Sequence, residues 1–560
     1  MSAKIIITAV SIILLIGVAI AIVAVVQYQK SHEGHDLSPT MKAVYNFCSS
    51  TNYQESCQRT LGTVDSTDPK QYVSRSISVA EEAVKRFYNY SDSMIVAVKN
   101  DSRTMLALED CKEMMDYAVQ SLQVSYSEVG EAHLQSMGDR VSDLRTWLSA
   151  VISYQQSCLD GFEEEDAMKN NMTLGIMDSS QLTSNALAIV TKLTEILAKF
   201  GLQMNAPPPS PSSRRLLSDH KDGYPSWFSN VDRKLIAKID NSKIQPNAVV
   251  AKDGSGQFKT IADALTAAPR NSETRHVIYV KAGIYDEYIT VDKKTTNILM
   301  YGDGPRKTIV TGGKNFVDGI QTWKTATFSA IGNGFVARSM GFQNTAGPEK
   351  HQAVALRIQS DKSAFFNCRM DGYQDTLYNH ANRQFFRNCV ISGTIDFIFG
   401  DSPTVIQNSL IIARRPLAKQ ANTVTAQGKS DPNENTGIVI QNCRIVPEQK
   451  LFPDRFKLAT YLGRPWKQFS TTVVMESTLG DFIQPEGWTP WAGSAFEDSL
   501  YYAEYNNRGP GANLDRRVDW KGYHRIDRNT ATEFTPQAFL LSRENWLPAT
   551  GIPFIPRLKE

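Results

Sequence analysis

Two aspartates, Asp375 and Asp396, offer the clearest chemistry in this sequence. Each lies eight residues after an asparagine in a repeated pattern. Phe365-Phe366-Asn367-Cys368 precedes the first, and Phe385-Phe386-Arg387-Asn388-Cys389 precedes the second, 21 residues further on. If each copy is one turn of a coil, the two carboxylates stack on neighbouring parallel strands roughly 4.8 Å apart. Carboxylates that close repel, so one holds its proton more readily than the other. Such a pair can supply one base or nucleophile and one acid. A surface aspartate ladder or a cation site is the alternative. Against it stand the flanks Tyr373-Gln374-Asp375-Thr376-Leu377-Tyr378 and Ile395-Asp396-Phe397-Ile398-Phe399, which are aromatic and apolar like a groove wall for a flat ring. Gln352 lies eight residues after Asn344, so this spacing places it at the same station one coil earlier. A carboxamide there can donate to a developing oxyanion. There is no Gly-x-Ser-x-Gly elbow or His-Glu-x-x-His pair, and His276, His351, His380 and His524, the only histidines after residue 237, form no evident triad.

The elements that must position these residues begin at about Asn247. Short β-branched runs such as His276-Val277-Ile278-Tyr279-Val280 and Thr308-Ile309-Val310 alternate with Gly, Asn and Asp turns every 20 or so residues. The series Asn367, Asn388, Asn408 and Asn442 has gaps of 21, 20 and 34 residues. Fixed periods of this length indicate a solenoid. The expected fold of residues 247–560 is all-β, a right-handed parallel β-helix with the asparagines stacked as a structural ladder and one long excursion before Asn442. Residues 37–205 read differently. Leu144, Trp147, Leu148, Val151 and Ile152 recur at three and four, as do Leu187, Ile189, Val190, Leu193 and Ile196, which predicts an all-α four-helix bundle. It carries no metal-ligand set and no nucleophile–base pair, so a structural or protein-binding role is expected for it.

Composition sets the compartment. Ile5 to Val26 is an uncharged run of 22 residues between Lys4 and Lys30. A span needs roughly 20 apolar residues and a signal-peptide core about 7–15. Residues 1–30 are therefore expected to be a transmembrane signal anchor or a signal peptide, leading the rest into the secretory pathway. Seven cysteines then read as disulfide material. Cys48 pairs plausibly with Cys57, and Cys111 and Cys158 are the other two in the front half. Cys368 and Cys389, at matching places in the repeat, are expected to form a third bridge, leaving Cys443 as a buried thiol. Asn89, Asn100 and Asn171 head glycosylation sequons. Residues 206–246 form a Pro-rich linker with two dibasic sites, Arg214-Arg215 and Arg233-Lys234, open to proteolysis. Residues 1–236 hold 21 basic and 27 acidic side chains, a net −6, and residues 237–560 hold 39 and 31, a net +8. The halves can attract each other, and the basic half favours a polyanionic partner.

Four motifs, in order, make the back half resemble plant pectin methylesterases. They are Gly341-Phe342-Gln343-Asn344-Thr345-Ala346-Gly347-Pro348, Gly372-Tyr373-Gln374-Asp375-Thr376-Leu377-Tyr378, Gly393-Thr394-Ile395-Asp396-Phe397-Ile398-Phe399-Gly400 and Leu462-Gly463-Arg464-Pro465-Trp466. The front half resembles the pectin methylesterase inhibitor domain, with its four cysteines. The resemblance implies hydrolysis of methyl esters of homogalacturonan to de-esterified pectin and methanol. Asp396 would be the nucleophile and Asp375 the proton donor and later base. Gln352 and Gln374 would stabilise the oxyanion, and Arg464 would keep Asp396 ionised. Thr322 and Trp466 would bind substrate, with Tyr378, Phe399 and Trp488 lining the cleft. It implies no metal and no cofactor. Expected partners are pectin, inhibitor proteins and a processing protease, with no nucleic acid. The mature enzyme is expected as a monomer in the cell wall, and the helical domain is expected to inhibit it before processing. The competing readings are a polygalacturonase or pectate lyase on the same fold, or an inhibitor protein acting through the helical domain.

Overall fold

The computed structural model describes residues 38–98, 101–162, 167–201, 244–493, 495–542 and 545–559. The expected anchor at residues 1–30, most of the linker with both dibasic sites, and Asn100 lie outside the described residues. Among the described residues no helix is long and apolar enough to cross a membrane.

The front part is helical: α1 (Pro39–Cys48), α2 (Gln54–Leu61), α3 (Pro69–Ala97), α4 (Ser102–Glu131), α5 (Val141–Asp160) and α6 (Ala167–Thr191). Local chemistry sets the starts. Ser38 accepts from the Met41 amide before α1, Asp68 from Lys70 before α3, and Asp101 from Arg103 and Thr104 before α4. Such caps satisfy amides that the helix leaves unpaired. The four long helices form the expected bundle, with α4 against α3 and α5, and α6 against the same two. Cys48–Cys57 ties α1 to α2, and Cys111–Cys158 ties α4 to α5.

From Ala248 the chain winds through parallel strands in three sheets of eleven, seven and eight strands. Every named strand pairing is parallel, with successive turns of the chain as neighbours, which is the stacked-coil arrangement expected. The middle sheet is β1 (Ile289–Val291), β2 (Phe328–Ala330), β3 (Leu356–Ile358), β4 (Leu377–Asn379), β5 (Ile398–Gly400), β6 (Asn422–Gln427) and β7 (Thr460–Gly463). Inward side chains such as Phe365, Phe386, Ile391, Ile411 and Ile445 fill the space between the sheets, and Phe365 stacks on Phe386 with centroids 4.9 Å apart.

The asparagine ladder has a backbone cause. Asn367, Asn388, Asn408 and Asn442 have φ of 52, 54, 51 and 53° at the same turn of successive coils. Asparagine tolerates this left-handed region better than most residues. The Asn442 side chain donates from Nδ2 to Asn408 Oδ1 at 2.6 Å, so part of the ladder is hydrogen-bonded.

The expected Cys368–Cys389 bridge is not formed. Both thiols are free and buried, as is Cys443. The Cys368 thiol donates to the Phe366 carbonyl and the Cys389 thiol to those of Phe365 and Arg387, each at 3.4 Å. Equivalent positions in a parallel ladder project side chains side by side, whereas a disulfide needs Cβ atoms that face each other. The same repetition that aligned these residues brings the two thiols within reach of each other inside an apolar core, without an S–S bond.

Candidate active site

Asp375 and Asp396 each come two residues before a strand of the middle sheet, β4 and β5, whose ladder pairs Leu377 with Ile398. The Asp375 amide donates to the Ile395 carbonyl at 3.0 Å, so the two aspartates are in register on adjacent coils. Both have positive φ, 62° and 50°. A non-glycine residue in this region is held there by its surroundings, and such positions cluster at functional sites.

Asp396 is gripped by two side chains. Arg464, immediately after β7, donates from Nε and Nη2 to its two oxygens at 2.8 and 2.6 Å. Thr423 on β6 donates its hydroxyl to Asp396 Oδ1 at 2.6 Å and accepts from the Asp396 amide at 2.8 Å. The carboxyl group thus takes only donors, the environment of an ionised acid. Asp375 has no comparable grip. Burial and the neighbouring Asp396 charge push its carboxyl well above the usual range, against the pull of Arg464. The geometry therefore sets the two apart: hydrogen bonds fix Asp396, and Asp375 lies buried beside it without them.

A cavity of about 320 Å³ opens on this pair. Gln352, Gln374, Thr322, Tyr378, Phe399 and Trp466 all line it. Tyr378 and Phe399 stack with centroids 4.4 Å apart, and Trp466 meets Phe399 edge-on at 6.0 Å. Two expectations need correction. Gln352 does not occupy the aspartates' station. The ladder pairs Leu356 with Leu377, and the Ala353 amide donates to Gln374, so Ala353 and Val354 come level with Asp375 and Gln352 precedes them. Its side chain still reaches the cavity. Trp488 does not line the cleft: it is 1 % exposed and packs inward on Tyr502 at 4.3 Å. A bridge from Gly463 to Trp488 fixes that strand edge. Trp491 lines the cavity instead, with the Arg464 guanidinium 4.1 Å from its ring centroid.

Sequence reasoning missed Thr423, Trp491 and Arg414. Arg414 donates to the Gly372 carbonyl at 2.7 Å and the Tyr373 hydroxyl at 2.8 Å, bracing the turn that presents Asp375. Thr423 lies 27 residues beyond Asp396, one coil on, and only the coil count could have flagged it. It is a positioning residue. Hydrogen bonds to charged groups contribute about 1.5–3 kcal/mol, so Thr423→Val is expected to lower kcat about 10–100-fold. Turnover within twofold of the parent, with an unshifted pH profile, contradicts this. Among the described residues no group of three or more acidic, His or Cys side chains could hold a metal ion.

The helical domain covers this site. On α5, Ser153 donates to the His380 carbonyl at 2.7 Å, and the Ser157 hydroxyl lies 3.2 Å from the Tyr378 hydroxyl. Asp143 accepts from the buried Arg383 at 2.5 Å, and Asp160 pairs with Lys467 at 2.5 Å. Asp110 on α4 pairs with Lys324. In each of these ion pairs the helical domain brings the acid and the β-domain the base, which is where the charge asymmetry of the sequence is used. One apolar core joins the bundle to Trp323, Tyr378, Phe399 and Ala426 of the cleft.

Two aspartates in register beside an aromatic cleft, on a stack of parallel coils, give a candidate active site on a β-helix-like fold. The comparisons give the family. A model described as Pectinesterase matches residues 247–543, and one described as Plant invertase/pectin methylesterase inhibitor matches residues 42–189. The chain belongs to the pectinesterase family, in the form that joins the esterase to an inhibitor-like helical domain. It is 42 % identical to Pectinesterase 4 of Arabidopsis thaliana over 592 residues, covering 99 % of each chain. It is 41 % identical over 558 residues to an Arabidopsis thaliana protein named a probable pectinesterase/pectinesterase inhibitor, covering 98 % of this chain and 82 % of that one. The structure of pectin methylesterase from carrot is 52 % identical, with a TM-score of 0.56, and matches 57 % of this chain and all of its own.

Proposed function

We propose that this pectinesterase hydrolyses the methyl esters of homogalacturonan through an acyl-enzyme on Asp396, and that its helical domain holds it inactive until the linker is cut. The observation that carries the reading is the bidentate Arg464–Asp396 pair beside the buried Asp375, whose carboxyl is pushed up by burial and by the Asp396 charge. Asp396 attacks the C6 carbonyl of a methyl-esterified galacturonate. The oxyanion that forms accepts hydrogen bonds from Gln352 and Gln374. Asp375 gives its proton to the departing methoxy group, and methanol leaves. Asp375, now a carboxylate, takes a proton from water as that water attacks the acyl-enzyme; the Asp396–acyl bond breaks, both aspartates are restored, and the galacturonic acid released loses its proton to solvent. Thr322, Tyr378, Phe399 and Trp466 hold the sugar ring. Trp491 replaces Trp488 in that role.

Residues 1–30 would carry the precursor into the secretory pathway as an anchor or signal peptide, with the mature enzyme, a monomer, acting in the cell wall. Asn89 and Asn171 are exposed on α3 and α6, where glycans would not disturb packing. The test is incubation of the linker-cleaved chain with methylated pectin. Methanol release with chain length unchanged supports the reading. New reducing or unsaturated ends, as a polygalacturonase or lyase would produce, overturn it. An inhibitor acting on other esterases is the weaker reading, because the α5 face is already occupied by this chain's own cleft.

The docking of the two domains is expected to weaken as pH rises. Burial pushes the Asp110 carboxyl up to about 6 from an ordinary 3.8, against the opposing pull of Lys324 and Arg357 and with help from Glu113. The docked state therefore binds a proton more tightly than the separated one. Its advantage is complete below the ordinary value and is lost as pH climbs through about 6. A shift of this size corresponds to roughly a hundredfold in affinity at most. Native mass spectrometry of the cleaved chain should find the domains together at acid pH and separating near neutrality. Tighter association at neutral pH contradicts the assignment.

A further inference from the structure

The turns that carry the reacting groups leave the eight-stranded sheet one above another. Its strands Arg369–Asp371, Val390–Gly393, Leu410–Ala413 and Arg444–Pro447 run in register, with Asp371 beside Ser392, Gly393 beside Ala413 and Ala413 beside Pro447. Tyr373, Thr394, Arg414 and Glu448 therefore occupy one station on four successive coils. Those coils go on to present, in turn, Asp375, Asp396, Thr423 and Arg464.

Arg414 ties this column together. Its amide donates to the Gly393 carbonyl at 2.7 Å, and its carbonyl accepts at 3.0 Å from Asn422 Nδ2, the residue before Thr423. The guanidinium reaches back two coils. There Nη1 donates to the Gly372 carbonyl at 2.7 Å, Nη2 donates to the Tyr373 hydroxyl at 2.8 Å, and the fork lies 3.7 Å from the Tyr373 ring centroid. Nε points the other way, to Glu448 Oε1 on the next coil at 3.3 Å. Glu448 is itself fixed: its amide donates to the Ala413 carbonyl at 2.8 Å, and its Oε2 accepts from the Arg415 amide at 3.3 Å. The two side chains are 20 and 25 % exposed, so water and salt screen this pair less than an ordinary surface bridge.

The turn held in this way is a strained one. Asp375 has a φ of 62° and Asp396 one of 50°, and such conformations persist where the surroundings over-determine them. Gln374 lies between Tyr373 and Asp375, so one turn aims both a carboxamide and a carboxyl group. Shorter ties act between adjacent coils: the Thr394 amide donates to the Tyr373 carbonyl at 2.9 Å, and Thr376 Oγ1 to the Ser392 carbonyl at 3.0 Å. Arg414 spans from the coil of Asp375 to the coil of Arg464. Reacting groups tolerate little displacement, since a misplacement of about 1 Å can cost roughly a hundredfold in rate.

Resting on the esterase reading above, we propose that Tyr373, Arg414 and Glu448 form a positioning brace for catalysis, which fixes the Gln374–Asp375 turn against the Asp396–Arg464 pair without touching substrate. The guanidinium meets its partners along different edges, a fork that the single ammonium of lysine cannot reproduce. Glu448 does not line the cavity, yet through Arg414 it helps to set the rate of turnover.

The test uses the isolated esterase half, which the carrot chain matches along its whole length, on a methylated galacturonate oligomer. Arg414→Gln is expected to lower kcat ten- to a hundredfold with KM within threefold of the parent. Arg414→Lys keeps the charge and should stay at least fivefold below the parent. Tyr373→Phe and Glu448→Gln each remove one contact and should cost three- to tenfold. Added to Arg414→Gln, Glu448→Gln should cost less than a further twofold, because the two act through one another. Arg415→Gln, at the next residue, should leave kcat within twofold. A second readout follows position alone. A loosened turn carries the Asp375 carboxyl away from the Asp396 charge and toward water, and both changes let it lose its proton at lower pH. The alkaline limb of kcat/KM and the ¹³C carboxyl titration of Asp375 should therefore both move to lower pH in Arg414→Gln. If a thermal melt shows that Arg414→Gln has not folded, Tyr373→Phe and Glu448→Gln carry the same measurements. A kcat within twofold of the parent, full recovery by Arg414→Lys, additive losses, or an unmoved Asp375 titration overturns the brace. Absence of methanol release in the parent overturns the esterase reading instead, and the Asp375 titration still decides the brace.

Discussion

Asp396→Asn is expected to lower methanol release by the linker-cleaved chain about 10³–10⁴-fold. Loss of a nucleophile that acts as a unit with its partners has effects of this order. Asparagine keeps the size of the side chain and can still meet the Thr423 hydroxyl, but it cannot attack the ester and cannot neutralise Arg464. The side chain of Arg464 is 26 % exposed, so water offsets part of the lost pairing. Breaking a fully buried pair costs about 3–5 kcal/mol, and the loss of stability here should fall below that range. A thermal melt that still shows a folded domain, with kcat reduced by three orders of magnitude, separates chemistry from folding. The same substitution at Asp375 should behave differently. It leaves the nucleophile in place but removes the proton donor for methanol, so poor leaving groups should suffer more than good ones. Activity retained within tenfold by Asp396→Asn removes it from the nucleophile role.

Separating the helical domain is expected to raise activity on polymeric pectin by at least about a hundredfold. Tyr378 and Phe399 are each 4 % exposed in the uncut chain, although both face the cavity that must receive substrate. Helix α5 closes that face through Ser153, Ser157 and the Asp143–Arg383 pair. The remaining space of about 320 Å³ is at the small end of the usual range for single-ligand sites. Cleavage at Arg214-Arg215 or Arg233-Lys234 frees the domain only if docking is also weakened, which couples this prediction to the pH dependence of Asp110. The measurement is specific activity of intact chain, cleaved chain at acid and neutral pH, and isolated esterase. The carrot chain, matched along its whole length by the esterase half, supports that half folding by itself. Equal specific activity of intact chain and isolated esterase contradicts the inhibitory role.

Much of this was legible in the sequence because a coil repeats. The asparagines marked the left-handed turn of each coil, and the turn fixed the register that brings Asp375 beside Asp396. The Leu-Gly-Arg-Pro-Trp motif marked Arg464 and Trp466. What failed did so where repetition fixes position but not direction. Cys368 and Cys389 were correctly aligned and do interact, but as free buried thiols without an S–S bond. Spacing from Asn344 puts Gln352 level with the aspartates, but the ladder around Leu356 sets it off that station. Trp488 and Trp491 are three positions apart, and it is Trp488 that bridges to Gly463 and turns inward. Thr423 and Arg414 had no signal of their own, because each acts across coils on a backbone that the sequence does not display. The buried pairing of the two domains was visible only as a difference in net charge.

The central claim is that the ester carbon is transferred to Asp396 before water takes it, and partitioning with hydroxylamine tests this most directly. The isolated esterase turns over a methylated galacturonate oligomer in rising hydroxylamine, with methanol and sugar hydroxamate measured together. The acyl-enzyme predicts that hydroxamate replaces a growing share of the carboxylate product, that methanol release is not slowed, and that Asp396→Asn forms no hydroxamate above the uncatalysed background. Normal methanol release with no hydroxamate at any concentration, or hydroxamate formed equally by Asp396→Asn, contradicts it.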